Sequence, residues 1–429
     1  MRFLNNLKKN SLFNVAAAFG LKVFGTAFSV ITSIMLGRTF STEGTGVYSL
    51  ASSILTVIMI FTVFGFDISL VKYVSIEFKR NTHGNLKKII KNTMSISLLL
   101  CLCFVIIVEL TGDVFAFVFS DPKLSVMLRI MIVAIIPMTL LKLLVSFLKG
   151  IGYVKVGLSF ESVVMHIFLC ICLVFILIIT REPGIEMVGI AYLISATMSF
   201  LIVFFISRSH YIKFNNETTD DFSFTPVINT ARTLLLVNST NYILTSMDSM
   251  MLGALTSTSD VGIYTVATKI TLLSSMLLSA INAILGPRFA VLFKENKINE
   301  LKTVVRKFSR AMLGVAIGIC IVISVCAKWI LMLWGKEFTE GICVLQISLI
   351  GQFVVLATGP LATLLMMCGY EKIHRNNTVF CAIINLVLNA VLIPIFGING
   401  AAVATAVSLI VKNVYCVFVV KQKLGFWCY

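Results

Sequence analysis

Apolar runs of about twenty residues follow one another along this 429-residue chain, separated by short polar breaks rich in Gly, Lys and Arg. A helix needs roughly that length to cross about 30 Å of hydrocarbon. The runs are too long and too uniformly apolar for the alternating strands of a barrel, and in lipid only helices and closed barrels satisfy their own backbone polar groups. The pattern predicts twelve spans, at 12–37, 45–67, 92–111, 125–148, 156–180, 186–207, 227–252, 261–285, 311–334, 342–367, 377–395 and 399–420. Between the sixth and seventh lies YIKFNNETTDDFSFTPV, the most polar stretch outside the chain ends, which reads as a linker over 209–226.

Polar positions reveal a second period. MLGRTFSTEGTGVYSLA at 35–51 returns as MLGALTSTSDVGIYTVA at 251–267, with Gly37/Gly253, Gly46/Gly262 and Tyr48/Tyr264 among eight identities in seventeen positions at an offset of 216. Phe78-Lys79 returns as Phe293-Lys294, and Gly152-Tyr153-x-Lys155 as Gly369-Tyr370-x-Lys372. A period of half the chain marks a duplicated unit. The expected fold is therefore an all-α polytopic membrane protein of two six-helix lobes, 1–208 and 227–429. Because each repeat has an even number of spans, both enter from one side and are related by a pseudo-two-fold axis along the membrane normal.

Composition agrees: 58% of residues are hydrophobic and 13% charged, about half the usual charged share of soluble domains. The net charge of +16 would point to nucleic acid were it not distributed by loop. Twenty-seven Lys and Arg fall in alternate segments that include both termini, against five (Arg38, Lys123, Arg181, Lys328, Lys336) in the others. By the positive-inside rule both termini are cytoplasmic, and the charge is a topology signal with no nucleic-acid partner implied. The basic repeats KRNTHGNLKKIIKN and FKENKINELKTVVRKFSR, Lys and Arg interleaved with apolar residues, read as amphipathic extensions facing anionic headgroups. The eleven cysteines include six inside apolar runs without His or acidic partners at ligand spacing, and read as small buried apolar residues, so no metal is expected. The run after Lys8 and Lys9 lacks a small-residue cleavage site and reads as a retained first helix.

Within the spans, polar residues fall on one face of the first helix (Lys22, Gly25, Ser29, Thr32) and on the matching face of the seventh (Asn238, Asn241, Thr245, Asp248). A stripe repeated this way most simply lines a cavity shared by the two halves. Charge in mid-membrane costs roughly 2.5–3.5 kcal/mol on the lenient insertion scale, so Lys22 and Lys269 are candidates either for a cationic substrate cavity or for buried pairs with Asp67 or Asp248. Asp67 reads as a helix-end cap or an ion-coupling group, and Asp248 as a cation or proton site or a solvated helix end. Glu161 is the third ion-coupling candidate, although its spacing of five from His166 places the two on different helical faces. Pro137, Pro287, Gly359-Pro360 and Pro394 interrupt spans, as tolerated kinks or as bends that move. There is no Gly-x-x-x-x-Gly-Lys-Ser/Thr phosphate loop, no catalytic group set in an outside loop, and no cofactor signature.

The stretches LGRTFSTEGTGVYSLASSILTVIMIFTVFGFDISLVKYVS, MDSMMLGALTSTSDVGIYTVATKI with Gly-Pro-Arg at 286–288, and GYEKIHRNNTVFCAIINLVLNAVLIPIFGINGAAVATAVS resemble the polysaccharide transporter family. These are the O-antigen and oligosaccharide-repeat-unit flippases of the multidrug/oligosaccharidyl-lipid/polysaccharide exporter superfamily. The resemblance spans the chain and implies a non-enzymatic flippase of the bacterial cytoplasmic membrane. Such a flippase moves undecaprenyl-pyrophosphate-linked oligosaccharide to the outer leaflet by alternating access, driven by an ion gradient or by consumption of the product. It implies polysaccharide polymerase and chain-length machinery as candidate protein partners, beside the lipid bilayer. The implied substrate-binding residues are Lys22, Ser29, Asn238, Asn241, Thr245 and Lys269, the last within the family's Gly-x-Tyr-x-x-Ala-x-Lys pattern (Gly262, Tyr264, Ala267, Lys269). A cation-coupled drug exporter and a lipid II flippase of the same superfamily are the alternatives.

Overall fold

The computed structural model describes all residues except 1, 81, 181–182 and 212–222, so most of the expected linker lies outside the described residues. Among the described residues the chain is helical, with no strand. By length and hydropathy seven helices can cross a membrane, or eight when Pro122–Val133 and Ile135–Gly150, bent by 42°, count as one span. Two long helices each join two expected spans across a break, at Ser41 (φ 61°) in Arg2–Val63 and at Gly397 (φ 55°) in Glu371–Leu424. The remaining expected spans fall on Met165–Ile179, shorter at 15 residues, and on Thr225–Leu255, which carries the polar stripe. The helical segments are thus consistent with twelve spans.

Helices often outrun the apolar runs that predicted them. His83–Val118 and Ile298–Val325 begin in the basic extensions, which continue the spans as helix rather than forming separate surface elements. Outward faces are apolar: Leu110 and Phe117 of helix His83–Val118 are 80% and 84% exposed. Exposed surface of that kind is stable only in lipid. Breaks follow backbone rules. Gly359 (φ 67°) ends helix Ile342–Thr358 ahead of Pro360, whereas Pro287 and Pro394 are carried inside helices.

Contacts divide the chain into two compact units, one of Ala16–Leu36 with Val47–Ser246, the other of Met247–Tyr429 with Gly37–Gly46 and the start of the first helix. The boundary falls inside helix Thr225–Leu255, leaving Asn238 in the first unit and Asp248 in the second. Each unit has its own core, and the two cores keep the repeat register. Leu70, Val74, Leu86, Ile90, Leu144, Phe147 and Leu148 of the first correspond to Leu285, Phe289, Leu301, Val305, Leu361, Leu364 and Leu365 of the second, at offsets of 215 or 217. Through the last helix of each repeat the match continues as Val203 with Cys416. The duplication therefore extends from the sequence motif to the buried positions.

The motif itself is held by close backbone packing within the second unit. A Cβ on Gly46 would overlap the carbonyl oxygen of Thr258, and a Cβ on Gly262 that of Thr42. Those partners are themselves related by the offset of 216, so the two copies of the loop meet reciprocally. Ser259 Oγ donates to Thr42 Oγ1 at 2.7 Å beside them. Glycine is required here because the obstacle is backbone that cannot rotate away. Gly46→Ala or Gly262→Ala should each lower stability by about 1–3 kcal/mol, read as a fall in the detergent-solubilised melting temperature. Gly318→Ala, in helix Ile298–Val325 with open space around it, should leave the melting temperature unchanged or raise it slightly.

Candidate functional site

Two polar sites are built inside this apolar framework, one in each unit. In the first, a cavity of about 360 Å³ is lined by Thr56, Asp67, Lys142, Asn238 and Tyr242, with Met59, Ile60 and Val63. Asp67 opens helix Phe66–Arg80 after the turn at Gly65, whose positive φ (74°) and close approach to the carbonyl of Ala231 admit no side chain. Lys142, from helix Ile135–Gly150, reaches Asp67 Oδ2 at 3.2 Å, the two side chains 33% and 15% exposed. The other oxygen of Asp67, Oδ1, is buried and accepts no hydrogen bond among the described residues. An ion pair half withdrawn from water, with one carboxylate oxygen and the Asn238 amide beside it, offers both charge signs and hydrogen-bonding capacity to a polar ligand.

The second site is centred on Asp248, which is 6% exposed. Its Oδ2 accepts from Thr405 Oγ1 at 2.6 Å and from Tyr264 Oη at 3.1 Å, and its Oδ1 from Asn389 Nδ2 at 2.5 Å. Asn389 Nδ2 also donates to Asn385 Oδ1 at 3.1 Å. Helices Thr225–Leu255, Thr258–Lys294 and both halves of Glu371–Leu424 thus converge on one carboxylate, and these partners are all neutral. The Oδ1 of Asn389 is fully buried and accepts no hydrogen bond among the described residues.

Repeat register shows how this site arose. Tyr264, Asp248 and Thr405 correspond to Tyr48, Thr32 and Tyr192 in the first repeat. There Thr32 bonds only back to the Phe28 carbonyl, and Tyr48 packs edge-on against Tyr192 with ring centroids 6.3 Å apart. The duplicated tyrosine keeps its place in both copies. Only the second repeat supplies a carboxylate and the smaller Thr405 that lets oxygens gather round it.

The remaining predicted residues divide. Lys22 is exposed on the first helix, and its hydroxyl neighbours Ser29 and Thr32 are half-buried and buried. Of the two alternatives for Lys22 and Lys269, the buried pair with Asp67 or Asp248 is not what the structure shows at either carboxylate: Lys142 takes Asp67, and Asp248 is held by hydroxyl and amide donors. Lys269 is half-buried in helix Thr258–Lys294. The side chains of Asn241, Thr245 and Glu161 lie outside the described residues. Glu161 does sit in a π-helical turn, Phe160–Val164. His166 lies beyond that turn, in the α-helix Met165–Ile179. Lys142 was missed because it was counted with the loop charges around 142–155, although it lies in a helix. Asn385 and Asn389 were missed too, yet two amides four apart in an apolar run are a legible signal of an inward polar face.

This architecture defines a multi-pass helical membrane protein with a transporter fold. Over 96% of its length the chain superposes with a TM-score of 0.79, at 12% identity, on 98% of a multidrug resistance MATE family transporter of the MOP superfamily in its inward-facing conformation. It matches the lipid II flippase MurJ, inward closed, with a TM-score of 0.72 at 15% identity over 95% of this chain and 87% of that one. The family model for polysaccharide biosynthesis proteins matches residues 11–293, and the MatE model matches 233–391. The chain belongs to the polysaccharide biosynthesis protein family. Among curated relatives, it is 28% identical over 175 residues to the probable low-salt glycan biosynthesis flippase Agl15 of Haloferax volcanii, a match over 40% of this chain and 37% of that protein. It is 22% identical over 267 residues to the capsular polysaccharide biosynthesis protein CapF of Staphylococcus aureus, over 60% of this chain and 66% of that protein. The matches thus span between about one third and two thirds of these relatives.

Removing donors should be graded at the second site. Tyr264→Phe takes away one of the hydrogen bonds to this carboxyl group, costing about 0.5–1.5 kcal/mol. Asp248→Ala leaves the Thr405 and Asn389 donors unmatched and should destabilise at least as much, both read from urea or thermal unfolding in the same detergent.

Proposed function

We propose that this protein is a flippase that moves undecaprenyl-pyrophosphate-linked oligosaccharide repeat units, of an O-antigen or related surface polysaccharide, from the cytoplasmic to the outer leaflet of the bacterial inner membrane. It is a transporter and not an enzyme, both termini face the cytoplasm, and it works by alternating access. The observation that carries this reading is the Asp67–Lys142 cavity with Asn238 and Tyr242, a polar pocket inside an otherwise apolar unit of a chain of this family. Sugar hydroxyls and pyrophosphate cannot cross hydrocarbon unaided, because each unmatched polar group costs several kcal/mol there. A cation and amides exposed to a pocket replace water for those groups while the prenyl chain stays in lipid. Lys22 and Ser29 on the first helix belong to the same unit and remain candidate substrate contacts, as do Asn241, Thr245 and, in the other unit, Lys269.

Asp248 is the ion-coupling group in this reading. One carboxylate, the free Asn389 Oδ1 and the Thr405 hydroxyl give a small hard cation oxygen ligands and a single compensating charge. The carboxylate is equally able to take a proton. The drug-exporter alternative requires a free carboxylate deep in the first unit for cationic substrates, whereas Asp67 is matched by Lys142. A lipid II flippase is separated from the proposal by substrate.

The test is a strain lacking the gene, with sidedness of lipid-linked oligosaccharide read by an impermeant glycosidase. Intermediates should accumulate on the cytoplasmic face and be cleared by the wild-type gene. Lys142→Gln should clear them about tenfold more slowly, the equivalent of ~1.4 kcal/mol. Normal arrival at the outer face in the deletion strain would refute the flippase, and a cell-wall precursor trapped instead would favour lipid II. In vesicles Asp248→Asn should retain substrate binding but lose the dependence of flipping on an imposed sodium or proton gradient. An unaltered gradient dependence would remove Asp248 from the coupling.

A further inference from the structure

A third cavity, about 490 Å³, lies in the first unit between helices His83–Val118, Ile135–Gly150 and Glu186–Tyr211. Met94, Leu144, Phe147 and Phe204 make it apolar, while Lys91 and Arg208 line it at the end where the basic residues gather. Lys87 is close by, its ammonium 5.9 Å from the ring centroid of Tyr211, which also lines the cavity. In the wall stands Ser207, 3% exposed, whose hydroxyl has no hydrogen-bond partner among the described residues. A buried hydroxyl left without a partner costs about 1–3 kcal/mol, so it points to something absent from the protein itself.

The second repeat shows what kind of group fills this place. There Lys91 corresponds to Arg306, Leu144 and Phe147 to Leu361 and Leu364, Ser207 to Val420 and Arg208 to Lys421. That position is occupied by the protein's own residues beyond Gly425, with Phe426 and Cys428 buried against the same core at 4% and 1% exposure. Their polar groups meet the two cations: Arg306 Nε donates to the Trp427 carbonyl at 3.1 Å, and Lys421 Nζ lies 5.7 Å from the Trp427 ring and 3.5 Å from the Gly425 carbonyl. The filler is amphipathic, apolar towards the helices and oxygen-bearing towards the cations. The slot of the first unit keeps both cations, replaces a buried valine by a hydroxyl, and is open.

We propose that this slot is a binding site for an anionic glycerophospholipid of the bilayer. An acyl chain lies against Met94, Leu144, Phe147 and Phe204, the phosphate sits between Lys91 and Arg208, and the Ser207 hydroxyl donates to an ester or phosphate oxygen. Charge sets the headgroup class, since two cations with no ion pair among the described residues favour a phosphodiester over a neutral headgroup by attraction that falls off within a Debye length. The surrounding face, with Leu99 63% and Phe205 64% exposed, keeps the slot open to lipid. The site lies apart from the Asp67–Lys142 cavity and stands whether or not the flippase reading does.

The experiment is native mass spectrometry of the purified full chain, titrated with phosphatidylglycerol against phosphatidylcholine, with fluorescent phosphatidylglycerol binding as the second readout. The wild type should retain one phosphatidylglycerol strongly. Lys91→Gln with Arg208→Gln should weaken it by about tenfold or more, Ser207→Ala by several fold, and Ser95→Trp, which fills the mouth from an exposed position, should abolish it. Lys302→Gln with Lys307→Gln, equal in charge removed but away from the slot, should change nothing. Equal weakening by that control pair would mean surface attraction without a site and overturn the proposal. So would displacement of the lipid by millimolar inorganic phosphate, which would make it a phosphate site. Preferential retention of undecaprenyl phosphate over phosphatidylglycerol would assign the slot to the substrate's lipid and overturn the proposal as stated.

Discussion

In hydrocarbon a polar group must be matched by protein, and almost every feature of this molecule is a consequence. The backbone meets the condition by being almost entirely helical over its described length, since helices close their own hydrogen bonds. Side chains meet it by turning back on the chain. Thr32, Thr45, Thr93, Ser195 and Ser199 each donate to the carbonyl one turn earlier. What such local bonds cannot match is a carboxylate, and so Asp67 and Asp248 each take partners from other helices. Asp67 draws in Lys142, and Asp248 draws in Tyr264, Thr405 and Asn389 from other helices.

The two solutions differ chemically. A cation as partner leaves a pair without net charge that can exchange hydrogen bonds with a neutral or anionic ligand. Neutral donors leave the carboxylate with its net charge, to be balanced by something that arrives from outside. A mobile cation or proton is what balances it in the proposed cycle. The division of labour between substrate contact and coupling thus follows from which partner each carboxylate was given, and each unit carries only one of the two arrangements.

Much of this was legible before any coordinates. The period of 3.6 within runs of twenty apolar residues located helices, and the offset of 216 located the repeat, because a motif built around Gly46 and Gly262 tolerates little change when backbone packs on backbone. Asn238 and Asp248 stood out as polar groups in apolar surroundings. Pairing was not legible. Which lysine reaches Asp67 depends on the crossing of helices Phe66–Arg80 and Ile135–Gly150, and no sequence spacing encodes that crossing. Lys142 was hidden by a boundary, since a helix that runs past its apolar stretch carries charges that a hydropathy reading assigns to a loop.

Duplication creates two copies of every surface, and in lipid a copy cannot simply be left unused. Where the last helix of the second repeat ends, Phe426 and Cys428 fold back on the core, and the cations Arg306 and Lys421 are met by carbonyls and an indole ring. The first repeat has the same two cations in its slot, Lys91 and Arg208. Its slot retains a hydroxyl where the second repeat has Val420, and that buried hydroxyl has no hydrogen-bond partner among the described residues. The bilayer is the one solvent always present that offers an apolar chain and anionic oxygens in a single molecule. A lipid in that slot would do for the first unit what residues of the chain do for the second, and the asymmetry between the repeats is then a difference in who supplies the filler.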